Sequence, residues 1–324
     1  MQTDKVSLSS TQKKWLFRSV QVFILALLFW QLSSVGWLEV IKSLPTNPLF
    51  YVLQILIYFA LPVSELFIYR RSWDFKISKG FPIFVYKKIY NSDVITYSGE
   101  VYLYYWAKSQ QTHSNKYIAS VIRDNNILST LSSTVIAIVL IGVFLTVGHI
   151  TIHEIIGAEG RLWVPWILLV GAITLTIAWR YRKYWFSMSR KEATYILTVH
   201  TTRLLAVHAL ELLQWLVAIP QVAFGNWLSL MAAKIATSRI PLLPNKDLLF
   251  LSIVIGLSGT FGIPRAELAS MLLVSSVLNK LFNLIFFSWF TIARKNESIP
   301  TDQELMDTDV AFNKAIEDGN EPPQ

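Results

Sequence analysis

Six stretches of this sequence are apolar for roughly 20 residues each, the length an α-helix needs to cross the hydrocarbon core of a bilayer. They run 19–38, 48–69, 127–148, 162–179, 204–225 and 264–290. A helix satisfies its own backbone groups internally, so such runs fold in lipid without exposing unpaired amides. The spacing predicts an all-α integral membrane protein with about six transmembrane helices. Composition agrees where it bears on the question. Apolar residues make up 53% of the chain and charged residues 15%, against about a quarter charged in soluble domains. Trp, Tyr and Phe number 12, 13 and 19, as suits a chain that meets two membrane–water interfaces. The chain holds no cysteine, which excludes disulfides, thiolate metal sites and Cys nucleophiles. Lys13, Lys14 and Arg18 precede the first run as they would in a signal peptide. The run is longer than a signal-peptide core and no small-x-small site follows, so it reads as a retained span.

Two further stretches are apolar but interrupted. The first, 81–106, contains Pro82, Lys87, Lys88, Asn91, Asp93, Gly99 and Glu100. The second, 227–262, contains Lys234, Arg239, Pro241, Pro244, Asn245, Lys246 and Asp247. Proline removes backbone donors and charges are costly in hydrocarbon, so neither is a single lipid-facing helix. Both fit re-entrant hairpins, whose backbone survives at membrane depth only inside protein or beside water.

The basic residues set an orientation. With the N-terminus in the cytoplasm, 22 of the 29 Lys and Arg fall inside, among them Arg70, Arg71, Arg180, Arg182, Lys183, Arg294 and Lys295. This asymmetry is the positive-inside pattern. It accounts for the formal charge of +8, so nucleic acid is not an expected partner. The expected layout is a cytoplasmic segment 1–18, a membrane domain 19–290 and an acidic, mostly disordered cytoplasmic tail 291–324, with both termini inside. The two interrupted segments then enter from opposite faces. That arrangement matches transporters built from inverted repeats, whose half-helices meet near the midplane. The expected architecture is therefore six spans and two re-entrant segments in two pseudo-symmetric halves.

Polar side chains within these runs are the candidate site. His200, Arg203, His208, Glu211 and Gln214 share one arc of a helix, and a charged stripe of that kind belongs toward the bundle interior. The bland alternative is an interfacial Arg203 and an internally paired Glu211. Lys280 stands deep in the last run with Ser275, Ser276, Asn279 and Asn283 at helical spacing. It suits an anionic group, while the amides and hydroxyls suit helix packing. In the first interrupted segment Gly99 permits a turn that presents Glu100, and a pair with Arg123 would neutralise two costly charges. Arg239 and Lys246 flank the proline-rich break of the second, where free helix amides attract anions. The candidate substrate-binding residues are thus Glu100, Arg123, Arg203, His208, Glu211, Arg239, Lys246 and Lys280. His149 and His153 sit at i, i+4 with no third ligand but Glu154, so no metal is expected. No Walker loop, GxGxxG, GxSxG or HExxH occurs, so neither a cofactor nor a nucleotide is expected either.

Ser98-Gly99-Glu100 with Arg123-Asp124 downstream, and Arg239 to Asp247 followed by Gly262-Ile263-Pro264, resemble elements of a known family. These are flippase-like membrane proteins related to the transmembrane domain of lysylphosphatidylglycerol synthases. The order of elements is similar over most of 15–290. Pro244-Asn245-Lys246 stands where the family has a glycine pair, Leu248 to Leu251 where it has a Glu, and Tyr102 to Trp106 where it has an Arg. The resemblance is to a divergent member. It implies a two-halved fold with re-entrant helices and movement of polar lipids between leaflets. The soluble aminoacyl-transferring domain has no counterpart in these 324 residues, so no synthase activity is implied.

The leading expectation is a membrane translocator of a polar or anionic lipid, in a bacterial cytoplasmic membrane, working without nucleotide hydrolysis. Two others compete. A membrane enzyme acting on lipid or polyprenyl phosphates would need paired carboxylates on one loop; Asp93 and Glu100 are the nearest approach. A non-catalytic envelope-complex partner has only the acidic tail in its favour. Expected partners are a lipid and the membrane itself, with a second copy of the chain or an envelope protein beside them.

Overall fold

The computed structural model describes residues 37–93, 97–110, 114–147, 187–238, 246–259 and 262–293. The expected spans 19–38 (but for its last two residues) and 162–179, the N-terminal segment and nearly all of the acidic tail lie outside these residues. Every regular element among the described residues is an α-helix. A short helix α1 (Trp37–Lys42) leads into α2 (Pro48–Ser72), α3 (Ile77–Asp93), α4 (Ser98–Ser109) and α5 (Asn115–Val147). After the undescribed stretch come α6 (Arg190–Ala218), α7 (Phe224–Ser238), α8 (Lys246–Leu257) and α9 (Arg265–Ala293). Four of these, α2, α5, α6 and α9, are long and apolar enough to cross a membrane. The order between residues 48 and 147 is long helix, two short helices, long helix, and the same order returns between 190 and 293.

Local chemistry fixes the ends of the long helices. Pro48 occupies the first position of α2, where its missing donor costs nothing, and Asn47 Oδ1 accepts from the Leu49 amide at 3.0 Å. Arg70 and Arg71 in the last turn face the negative end of the helix dipole. A capping box opens α6: the Ser189 amide donates to Glu192 Oε2 at 2.9 Å and the Glu192 amide donates to Ser189 Oγ at 3.3 Å. Pro220 ends it, because the residue before a proline is pushed out of helical geometry. These two devices correct the expected span 204–225: the helix runs from Arg190 to Ala218. Hydropathy alone missed the first turns, which are polar. For the same reason α5 begins at Asn115, capped by Ser114, ahead of the expected 127.

Both interrupted segments are helical pairs. In the first, α3 packs against α4, and the close approach is specific to glycine. A Cβ on Gly99 would lie 2.2 Å from the Lys87 carbonyl oxygen and 2.9 Å from Asn91 Cγ. The Gly99 amide donates instead to Asn91 Oδ1 at 2.8 Å, and Ser98 Oγ donates to the Tyr90 carbonyl at 2.8 Å. In the second, α7 packs against α8, and Lys246 Nζ donates to the Ser238 carbonyl at 2.7 Å, tying the start of α8 to the end of α7.

The described chain falls into two compact units. One, built around α3–α4, takes the described residues of 61–129, 187–199 and 281–293; the other, built around α7–α8, takes those of 37–60, 130–147 and 200–280. Each long helix gives one end to each unit. The α3–α4 unit has a core of Tyr69, Ile83, Phe84, Leu103, Ile118 and Ile196. The α7–α8 unit has its own, with Trp215, Trp227, Met231, Val254, Leu268 and Met271. The outward residues of the long helices are also apolar: Val52, Leu56, Phe67, Val139, Leu284 and Trp289 are all exposed. Meanwhile Gln54, Glu65, Lys87, Asp124 and Gln214 are buried. Apolar exteriors around polar interiors are stable in lipid and costly in water.

Candidate functional site

In the α3–α4 unit the polar interior is an ion cluster. Glu65 sits seven residues before the end of α2, and Tyr69 follows one turn later on the same face. Lys87 lies ten residues into α3. Its ammonium donates to Glu65 Oε1 and pairs with Glu100 Oε1, two residues into α4, at 3.3 Å. It also lies 5.8 Å from the centre of the Tyr69 ring, a cation–π arrangement. Lys87 is 3% exposed and Glu65 4%. Asn91, one turn beyond Lys87, donates to Glu100 Oε1 at 3.2 Å. Tyr69 stacks between Trp73 and Phe84, and its hydroxyl accepts from Asn125 on α5 at 3.0 Å. Oε2 of Glu65 and Oε2 of Glu100 are buried and meet no donor among the described residues.

The α7–α8 unit holds a second ion pair at matching sequence positions. Glu211 lies seven residues before the end of α6, with Trp215 one turn on. Lys234 lies ten residues into α7. Its ammonium donates to Glu211 Oε1 at 2.8 Å and stands 5.7 Å from the Trp215 ring centre. Glu211 Oε2 is 3.4 Å from His208 Nδ1, one turn earlier on α6. A chain of amides runs beside it. Gln214 Nε2 donates to Gln54 Oε1 at 2.8 Å and to the Phe50 carbonyl at 3.1 Å. Gln54 Nε2 in turn donates to Asn279 Oδ1 at 3.2 Å. Three long helices, α2, α6 and α9, are thus joined through side-chain amides, the means by which helices bond where no hydrophobic drive exists between them.

The structure distributes the expected site residues between these groups. Glu100 joins the first cluster, and His208 and Glu211 the second. Arg123 does not reach Glu100. It donates from Nε and Nη2 to Asp124 Oδ1 at 2.9 and 2.7 Å. Asp124, fully buried, also accepts at Oδ2 from the Ser187 amide and hydroxyl, each at 2.8 Å, and from the Met188 amide at 3.2 Å. The Arg123–Asp124 pair therefore fastens the segment that leads into α6. Glu100 and Arg123 do share one open pocket of about 310 Å³, lined also by Val101, Tyr104, Tyr105, Ala119 and Ile122. Arg203 is half-buried on α6, Lys246 caps the break between α7 and α8, and Lys280 is exposed on α9. Arg239 lies outside the described residues. Asn283 donates to Asp93 Oδ2 at 2.7 Å and to Ser92 Oγ at 3.1 Å, holding the end of α3.

Glu65, Lys87, Lys234 and Gln54 were not singled out from the sequence as site residues. A signal for them is present: a Glu with an aromatic residue four positions on, then a Lys 22 or 23 residues after the Glu, as Glu65-Tyr69-Lys87 and Glu211-Trp215-Lys234. No family model, no curated protein and no solved structure matches this chain. Its function is therefore argued from the geometry above. Among the described residues no group of three or more His, Cys, Asp and Glu side chains is placed to hold a metal ion.

Proposed function

We propose that the chain is a membrane translocator that moves a polar or anionic lipid between leaflets, without nucleotide hydrolysis. The observation that carries this reading is the pair of Glu–Lys contacts, one buried and one part-buried, each joining a long membrane-length helix to the first arm of a helical pair. An ion pair in such surroundings costs several kcal/mol in desolvation that its own attraction offsets only with good geometry. Ionisable groups inside membrane segments mark substrate and ion pathways far more often than they serve packing. Here the charges sit where an interrupted helix meets a continuous one, the arrangement by which transporters build binding sites from broken helices.

The same reading takes α3–α4 and α7–α8 as re-entrant segments. It takes 48–147 and 190–293 as the cores of two inverted halves, each preceded by one further span, 19–38 or 162–179. Three crossings per half is an odd number, so the second half enters from the opposite face, and the basic flanks then place both termini in the cytoplasm. Within its own unit, each lysine, Lys87 or Lys234, supplies positive charge to a lipid phosphate, and the glutamates beside it, Glu65 and Glu100 or Glu211, hold the ammonium in place until a headgroup takes over. Arg203, Arg239, Lys246 and Lys280 add to the polar path.

The test is lipid movement in liposomes containing the purified full chain alone, read by accessibility of a fluorescent headgroup-labelled anionic lipid to a membrane-impermeant quencher. Wild-type protein is expected to expose lipid from the inner leaflet. The double variant Glu65→Gln/Glu211→Gln, inserted to the same level, is expected to slow it at least about tenfold, the equivalent of one lost charge-assisted interaction. Equal rates in protein-free and wild-type vesicles reject the proposal.

A further inference from the structure

Around Lys87 the buried charges do not balance. Its single ammonium serves two carboxylates, Glu65 from α2 and Glu100 from α4, and neither glutamate has a second cationic partner among the described residues. The other charged and titratable groups nearby are otherwise engaged. On α5, Arg123 lines the pocket beside Glu100 but bonds to Asp124. On α3, Asp93 accepts from Asn283. From α2, Tyr69 faces the ammonium with its ring and takes a hydrogen bond from Asn125 at its hydroxyl. The cluster as ionised therefore carries one uncompensated negative charge inside the protein. Its two outer oxygens, Oε2 of Glu65 and Oε2 of Glu100, are buried and meet no donor among the described residues. A buried charge left unpaired in this way is the costliest arrangement a protein interior can hold.

We propose that Glu65, Lys87 and Glu100 form a binding site for one monovalent cation, a proton or an alkali ion, taken up through the pocket beside Glu100. Glu100 is the entry residue. It lines the open pocket with Tyr104, Tyr105 and Arg123, and its contact with Lys87 is the longer of the two. Uptake of a proton at Oε2 turns the Glu100 carboxylate into a neutral carboxyl and leaves Glu65 and Lys87 as a balanced pair. An alkali ion satisfies the same two Oε2 atoms without a covalent change. As the coupling site of a translocator, this cluster rests on the reading above and links lipid movement to a cation gradient; as a binding site it stands without transport.

The test uses the full chain in detergent micelles and needs no transport assay. In the first arm, infrared difference spectra between acid and alkaline pH are expected to show a carboxyl C=O band that shifts in D₂O, with uptake of about one proton per chain. In the second, Na⁺ or K⁺ at alkaline pH is expected to raise the melting temperature in proportion to the logarithm of its concentration, where choline does not. A signal in either arm identifies the cation. That signal disappears in Glu100→Gln and in Glu65→Gln and persists in Glu267→Gln, a carboxylate bonded to Gln221 elsewhere. At alkaline pH without alkali ions, Glu100→Gln is expected to melt at or above the wild-type temperature, because it removes the excess charge; a carboxylate that merely anchored Lys87 would show the opposite. The proposal fails if wild-type protein gives neither signal, a result that does not depend on any variant folding. It fails equally if the signal survives both glutamate substitutions. Cation binding without lipid movement would remove the translocator and leave the site; lipid movement without cation binding would do the reverse.

Discussion

The two helical pairs, α3–α4 and α7–α8, are held to their long helices by the same three residue types at nearly the same spacing, yet they are balanced differently. Both use a glutamate seven residues from a helix end, an aromatic ring one turn later, and a lysine ten residues into the first arm. Lys87 then meets a second carboxylate, Glu100, from the second arm. Lys234 pairs with Glu211, whose other oxygen faces His208. Lys87 and Glu65 are also the deeper pair: their side chains are 4% and 5% exposed, against 26% for Lys234. Identical contacts can thus serve different ends. One site holds its lysine deeply buried and carries excess negative charge; the other leaves its lysine partly exposed and is nearer neutrality.

Removing the lysine from each site separates the two most sharply. Lys87→Met leaves two buried carboxylates facing each other with no cation, and breaking a buried pair from one side costs about 3–5 kcal/mol. Lys234→Met leaves one carboxylate that keeps His208 and a route to solvent, so about 1–2 kcal/mol is expected. Thermal unfolding of both variants in the same detergent checks the order. Equal destabilisation would show that the second carboxylate does not matter to the site.

Backbone closeness gives the next contrast. A methyl group on Gly99 would press into the Lys87 carbonyl at 2.2 Å, so α4 has to move away from α3 and carry Glu100 with it. Overpacking of this kind costs about 1–3 kcal/mol, and here it also breaks the Glu100–Lys87 contact. Gly259, just past the end of α8, has nothing within 4 Å of the position a Cβ would take, and Gly259→Ala is expected to change stability by less than about 0.5 kcal/mol. A Gly99→Ala protein that melted like wild type would mean the α3–α4 contact is looser than its geometry.

How much of this was legible beforehand depended on the kind of signal. Four of the long apolar runs became long helices, because twenty apolar residues leave lipid-spanning helix as nearly the only solution. Both interrupted segments became helical pairs at the expected places. In the first, Pro82 stays inside α3 and Gly99 inside α4, and the break falls between Asp93 and Ser98, where Tyr97 takes a left-handed backbone. The prolines at 241 and 244 lie outside the described residues. Helix starts were misplaced where the first turns are polar: α6 begins at Arg190 on a Ser189–Glu192 capping box that hydropathy does not weigh. The site was half visible. Glu100, His208 and Glu211 stood out as charges in apolar surroundings. Lys87 and Lys234 count among the interruptions of apolar runs, because a partner 22 or 23 residues away on the neighbouring helix lies beyond any local pattern. Arg123 was expected on Glu100 and bonds to its own neighbour Asp124, whose three further donors come from residues 187 and 188, more than sixty positions downstream.

The smallest expected difference tests the neutral amides beside each ion pair. Gln214 donates twice, to Gln54 and to the Phe50 carbonyl, and so ties α6 to α2 and onward through Asn279 to α9. Asn125 makes a bond of comparable kind, to the hydroxyl of Tyr69, whose ring backs Lys87. Interhelical amide bonds in membranes average only about 0.6 kcal/mol each, because an unfolded helix in lipid also finds partners. Gln214→Leu is therefore expected to lower stability by about 1 kcal/mol, with the orphaned Gln54 amide contributing part of it. Asn125→Leu should cost about half that in stability and yet act on the ion cluster, because the hydroxyl of Tyr69, whose ring faces the ammonium, loses the Asn125 donor. The discriminating measurement is the cation signal: unaffected in Gln214→Leu, weakened in Asn125→Leu. If both substitutions left it alike, the ring of Tyr69 would be packing and no part of how the first site holds its charge.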